Sequence, residues 1–142
     1  MSAGPRRRSR EVALQVLYAA DLAGSETPDA EKAQQALDAV TGAFELREGA
    51  RVFAKELVTG VAGRRAEIDA LLEACSTRWR VARMPVVDRN VLRIGVFELL
   101  GGDVPVEVAI DEAVELARQF GGEGSPAFVN GLLDAVARRV RS

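Results

Sequence analysis

An all-helical fold, about seven helices in two halves, is what this sequence predicts, and three observations predict it. Apolar residues recur every three or four positions over most of the chain, the period of one helix face. Glycines and Thr-Pro or Ser-Pro pairs punctuate those runs where helix ends are needed. The one stretch that alternates like a strand, VPVEV at 104–108, has no second strand to pair with, and a lone strand is not stable.

From Val12 the residues Ala13, Val16, Leu17 and Ala20 keep helical spacing, and Gly24-Ser25 closes this first helix. Residues 1–10 precede the apolar period and read as a flexible, Arg-rich arm. Thr27-Pro28, followed by Asp29 and Glu31, offers an N-cap, a first-position proline and first-turn acids. The Ala-rich second helix that follows has a thin apolar face and ends near Gly42. Between Glu45 and Val61, the stripe Leu46, Ala50, Phe53, Ala54, Leu57 and Val61 marks a long third helix, broken at Gly63. Ile68, Leu71, Leu72 and Cys75 mark a fourth.

STRWRVARMP at 76–85 loses the period and reads as a connection, its arginines Arg78, Arg80 and Arg83 as solvated loop charges. A single helical domain over 11–142 then divides into an N-terminal subdomain of about 11–76 and a C-terminal one of about 85–140. VVDRNVLRIGVFELL at 86–100 is apolar on most of its circumference, as suits a central helix wrapped by its neighbours. Gly95 inside it costs roughly 1 kcal/mol relative to alanine, which a close approach of another helix would offset. Gly101-Gly102 ends that helix. Val106, Ala109, Ile110, Ala113, Leu116, Ala117 and Phe120 form the apolar face of the next, with Gly121 just past its C-terminus. Ser125-Pro126 restarts the chain as N-cap and first residue of a last helix, carried by Val129, Leu132, Leu133 and Val136 to about Val140.

With 142 residues and 48% hydrophobic content, the chain can bury a core without staples. It contains no histidine and one cysteine, which removes zinc sites and Cys-His nucleophile pairs. Asp111 and Glu115 share a helix face in the manner of a solvated stripe, and GGEGSP at 121–126 lacks the Gly-Lys-Ser/Thr ending of a phosphate loop. Neither an enzyme nor a cofactor is expected. Cys75 falls in an apolar stripe and reads as a buried structural thiol. No apolar run is long enough for a membrane span and no signal peptide is apparent, so the expected location is cytoplasmic.

The net charge is −2, so contact with a polyanion must come from local asymmetry. Arg6, Arg7, Arg8 and Arg10 supply it. A helix start carries partial positive charge and prefers acidic residues, so helix formation alone does not select this cluster. Either it is an idle tail or it meets something anionic. Arg10, Leu14 and Tyr18 are spaced by four and share a stripe, with Tyr18 about 12 Å along the helix from Arg10. Guanidiniums on phosphates beside an aromatic platform are the physics of single-stranded RNA binding. Tyr18 fits that role and a core-edge role equally well.

RRRSREVALQVLY at 6–18, VDRNVLRIGVFEL at 87–99, VPVEVAIDEAVELA at 104–117 and SPAFVNGLLD at 125–134 together resemble the NusB family of transcription antitermination factors, in order and spacing. The resemblance is weakest over residues 24–80. It implies two helical subdomains and a non-enzymatic role: pairing with the ribosomal protein NusE, binding the boxA element of nascent RNA and assisting RNA polymerase through terminators in ribosomal RNA operons. It implies an RNA-binding role for Arg6, Arg7, Arg8, Arg10, Tyr18 and Phe128, and a place on the NusE-facing surface for Asp88. Helical pattern alone puts Phe128 in the core. Arg93 and Glu98 are expected in buried hydrogen-bonded pairs, because charges on so apolar a helix need partners. Asn130 and Gly131 suit packing or capping, and Arg138, Arg139 and Arg141 form a second basic patch with no assigned role.

Two rival readings stay open. Ribosomal RNA cytosine methyltransferases carry a similar helical domain, but need a strand-rich catalytic domain that would have to follow residue 140. A helical scaffold or homodimer would leave the arginines solvated and use the apolar faces for self-association.

Overall fold

The computed structural model describes residues 4–24, 35–39 and 46–141, and among them every regular element is helical. The elements are α1 (Pro5–Leu22), α2 (helical over residues 35–39), α3 (Glu48–Gly63), α4 (Arg65–Cys75), a 3₁₀ turn (Val81–Arg83), α5 (Val86–Gly101), α6 (Val106–Phe120) and α7 (Ser125–Val140). The expected start and end of the second helix, Thr27-Pro28 to Gly42, fall outside the described residues, as do Ser25 and Glu45. No helix among the described residues is long and apolar enough to cross a membrane.

The chain forms two compact units, Met1–Arg64 and Arg65–Ser142. In the first, α1 packs on α3. Val12, Ala13, Leu14, Val16 and Leu17 bury one face of α1, and Ala54, Leu57, Val58 and Val61 one face of α3. The helix α1 starts well before the apolar period does. Residues 5–10, expected as a flexible arm, are its first turns. Pro5 occupies a first-turn position where its missing N–H costs nothing. The fully buried Ser9 hydroxyl then shares its proton between the Pro5 carbonyl (2.9 Å) and the Ala50 carbonyl of α3 (2.7 Å). That second bond anchors the start of α1 in a way no periodicity reveals.

In the second unit α5 is the hub, packed against α4, α6 and α7. Residues 90–96 are buried in unbroken succession, the signature of a helix surrounded on all sides. The division at Arg64/Arg65 places α4 in this unit, where the expected break at 77–85 put it in the other. The reason lies in side chains: Ile68 and Leu72 of α4 are fully buried, and Asp69 of α4 grips Arg93 of α5. Arg93, 3% exposed, donates from Nε to Asp69 Oδ1 (2.9 Å), from one terminal nitrogen to Asp69 Oδ2 (3.1 Å) and from the other to Asn90 Oδ1 (3.1 Å). Glu98 is buried on the same helix.

Two glycines are set by close approach. A Cβ on Gly95 would stand 2.7 Å from Leu133 Cδ1, so α5 and α7 meet there with no room for a side chain. Gly121 ends α6 in extended backbone (φ −94°, ψ −172°), so left-handed geometry is not what requires it. A Cβ there would lie 2.7 Å from the Ala117 carbonyl oxygen and 2.7 Å from the Ser125 side chain. A leucine tip can swing aside and a carbonyl cannot. Gly121→Ala should therefore cost about 2 kcal/mol of unfolding free energy, within the range for overpacking, and Gly95→Ala clearly less. Urea unfolding midpoints at unchanged slope would show the difference.

The C-terminal arginines find work within this unit. Arg141 donates to the carbonyls of Leu99 (2.9 Å) and Glu98 (3.1 Å), satisfying the C-terminal end of α5, whose left-handed stop is Gly102 (φ 78°). Arg138 pairs with Asp134 one turn earlier.

Candidate nucleic-acid interface

The first turns of α1 carry Arg6, Arg7 and Arg8, with no acidic residue in the first turn and no side-chain cap at Gly4. The first N–H groups of a helix have no intrahelical partner and concentrate positive potential. Adding guanidiniums there raises it further, a local cost that an anion offsets. Arg6 lies with its guanidinium carbon 4.5 Å from the centroid of the Phe53 ring of α3, and Arg10 at 5.3 Å. Phe53 thus braces two of the arginines through cation–π contact. Spacing had put Phe53 in the apolar stripe of its helix, and nothing in the local sequence shows that a distant arginine pair would cover it.

The four arginines are not equivalent. Arg6 and Arg8 are exposed and Arg7 is half-buried. Arg8 sits 3.5 Å from Glu11 in an i,i+3 ion pair whose arginine is exposed and whose carboxylate is largely covered. Arg10 is only 4% exposed, so it belongs to the α1–α3 packing and is withdrawn from any phosphate outside. This departs from the expectation that all four form one charged cluster. The cause is register: Arg10 follows the buried Ser9 and lies on the stripe of the buried Leu14. Tyr18, next on that stripe, is half-buried at the edge of the core.

The other expected site residues lie in the second unit. Asp88, in the first turn of α5, is 5% exposed and accepts a hydrogen bond from Ser125 Oγ at 2.7 Å. Ser125 Oγ in turn accepts from the Gly122 N–H at 2.9 Å. The carboxylate expected to face a protein partner therefore points inward, joining the starts of α5 and α7. Ser125 is the first residue of α7 and not its N-cap, because its hydroxyl is used in this link. Phe128, which pattern put in the core, is half-buried and lines an open groove of about 460 Å³ with Cys75, Arg78, Ala127, Gly131 and Leu132. Cys75 is half-buried on the wall of that groove. Asn130 is exposed on the same helix.

An all-helical fold with three arginines gathered at the start of its first helix places the chain among the small all-helical proteins. The chain belongs to the NusB family, whose model matches residues 7–138. It is 50% identical over 135 residues to the transcription antitermination protein NusB of Myxococcus xanthus, covering 94% of this chain and 95% of that one. It is also 50% identical over 133 residues to NusB of Anaeromyxobacter dehalogenans, covering 93% and 89%. Among solved structures, T. maritima NusB superposes with a TM-score of 0.86 at 34% identity, covering all of this chain and 96% of that one. A NusB chain crystallised with NusE and double-stranded RNA gives 0.82 at 29% identity, covering 95% and 97%. The all-helical fold read from periodicity is thereby shown, and the family's function is transcription antitermination, not catalysis.

Proposed function

We propose that this chain binds the boxA element of nascent ribosomal RNA together with the ribosomal protein NusE, and so helps RNA polymerase pass terminators in the cytoplasm. The observation that carries the RNA part is the α1 start: Arg6, Arg7 and Arg8 on an uncapped helix terminus, with Arg6 braced by Phe53. The NusE part is supported by the NusB–NusE–RNA assembly formed by a structural relative. Phe128 offers an aromatic face in the groove of the second unit. Tyr18 serves at the edge of the first core, and Asp88 contributes by holding the ends of α5 and α7 that a partner would meet.

The test is binding of end-labelled boxA RNA against a scrambled strand and against a duplex, each with and without NusE. The boxA strand should bind at least about tenfold more tightly than the scrambled one when NusE is present, a difference of roughly 1.4 kcal/mol. Equal binding of both strands would reduce the chain to a basic surface without a reader.

A further inference from the structure

The loop between α4 and α5 carries an aromatic residue that the family resemblance does not use. Trp79 is 47% exposed, the one tryptophan in the chain. Its backbone is nonetheless fixed. The Ser76 hydroxyl donates to the Trp79 carbonyl at 2.7 Å and accepts from the Trp79 N–H at 3.2 Å. Two residues on, the Val81 N–H donates to Glu73 of α4 at 2.9 Å, and the Val81 side chain is buried. A large ring is thus left about half open to water on a pinned support.

Its surroundings are cationic. Arg78, Arg80 and Arg83 are all exposed, residues 76–84 contain no acid, and none of the three arginines makes an ion pair or side-chain hydrogen bond with another described residue. Elsewhere in this unit arginines are used: Arg93 by Asp69, Arg138 by Asp134, Arg118 by Glu115, Arg141 by the carbonyls of α5. The three loop arginines differ from these four in having no such partner among the described residues. Arg78 also forms the wall of the groove that holds Phe128, so the loop continues an aromatic surface already present in the same unit.

We propose that Trp79, flanked by Arg78 and Arg80, is a stacking platform for an unpaired RNA base, forming a second RNA contact beyond the α1 arginines. This rests on the RNA-binding function proposed above and adds a site to it. An unpaired strand supplies both things the loop lacks, phosphates for the guanidiniums and a flat π-face for the indole. A duplex offers no free base face, so the platform favours single strands.

The lone tryptophan makes the test direct. Unlabelled single-stranded boxA RNA is titrated into the full chain while Trp79 emission is followed, and binding is measured in parallel by anisotropy of the same RNA carrying an end label. Quenching of Trp79 should track the anisotropy. Trp79→Ala should weaken binding about tenfold and Trp79→Phe less, as stacking predicts, with thermal unfolding unchanged because the ring is exposed. Arg78→Ala with Arg80→Ala should reduce the log-log salt slope by roughly 1.4. If the RNA binds while Trp79 emission stays constant and Trp79→Ala binds like wild type, the platform is wrong and the RNA-binding function stands. If the chain fails to raise the anisotropy of the labelled RNA even with NusE present, both fall together. Quenching by NusE and not by RNA would assign the loop to a protein partner and overturn the proposal.

Discussion

Replacing Arg6, Arg7 and Arg8 together with alanine is expected to weaken RNA binding roughly a hundredfold, at about 1 kcal/mol for each charge-assisted hydrogen bond to phosphate that the variant can no longer make. The same triple variant should flatten the log-log salt dependence by about 2, since each single-strand phosphate neutralised contributes roughly 0.7. Arg10 sets an internal control. It is buried against α3, so it is expected to add nothing to the slope, and a change nearer about 3 on removing all four would mean that it leaves its site to reach the RNA. Thermal stability should hold or rise slightly in the triple variant, because three positive charges leave a helix terminus that already carries positive potential. Conversely, RNA should raise the unfolding temperature of the wild type, and should go on raising it with the logarithm of RNA concentration after the site is full.

The second large effect is on the fold. Arg93→Ala should cost about 3 kcal/mol, lowering the unfolding temperature by roughly 10 °C. Its guanidinium makes three hydrogen bonds inside the second unit, two of them bidentate to Asp69. Removing it leaves Asn90 Oδ1 without that donor in the interior, where an unmet polar group is expensive. Asp69 is partly exposed (27%) and keeps Arg65 at 3.6 Å, which holds the cost at the lower end for a broken buried pair. Arg93→Lys should fall between, since an ammonium keeps the charge and cannot span both carboxylate oxygens. RNA affinity measured below the unfolding transition should be unaffected in either variant, because Arg93 does not reach the surface.

What could be read from sequence followed how far apart the interacting residues lie along the chain. The helices α5, α6 and α7 were legible almost to the residue, because periodicity and the punctuating glycines and prolines are local signals. The need for a small residue at Gly95 was legible too, since an unexplained glycine in an apolar helix implies a close neighbour, here Leu133. Interactions across many residues were not legible. Ser9 bonds Ala50 across 41 positions, Asp88 is met by Ser125 across 37, and Arg141 caps α5 from across 42. Each of these moved an assignment: the helix start to Pro5, the carboxylate inward, the C-terminal charge to a cap. The same reason separates the four N-terminal arginines. Their charge is visible in sequence; which of them α3 covers depends on a ring at position 53.

Photo-crosslinking of bound boxA RNA, followed by identification of the linked residues, tests the central claim most directly. RNA held as described places crosslinks in the first two turns of α1, at and around residues 6–8, and these disappear in the Arg6, Arg7, Arg8 triple variant. Crosslinks confined to other helices, unchanged by that variant, would contradict the account.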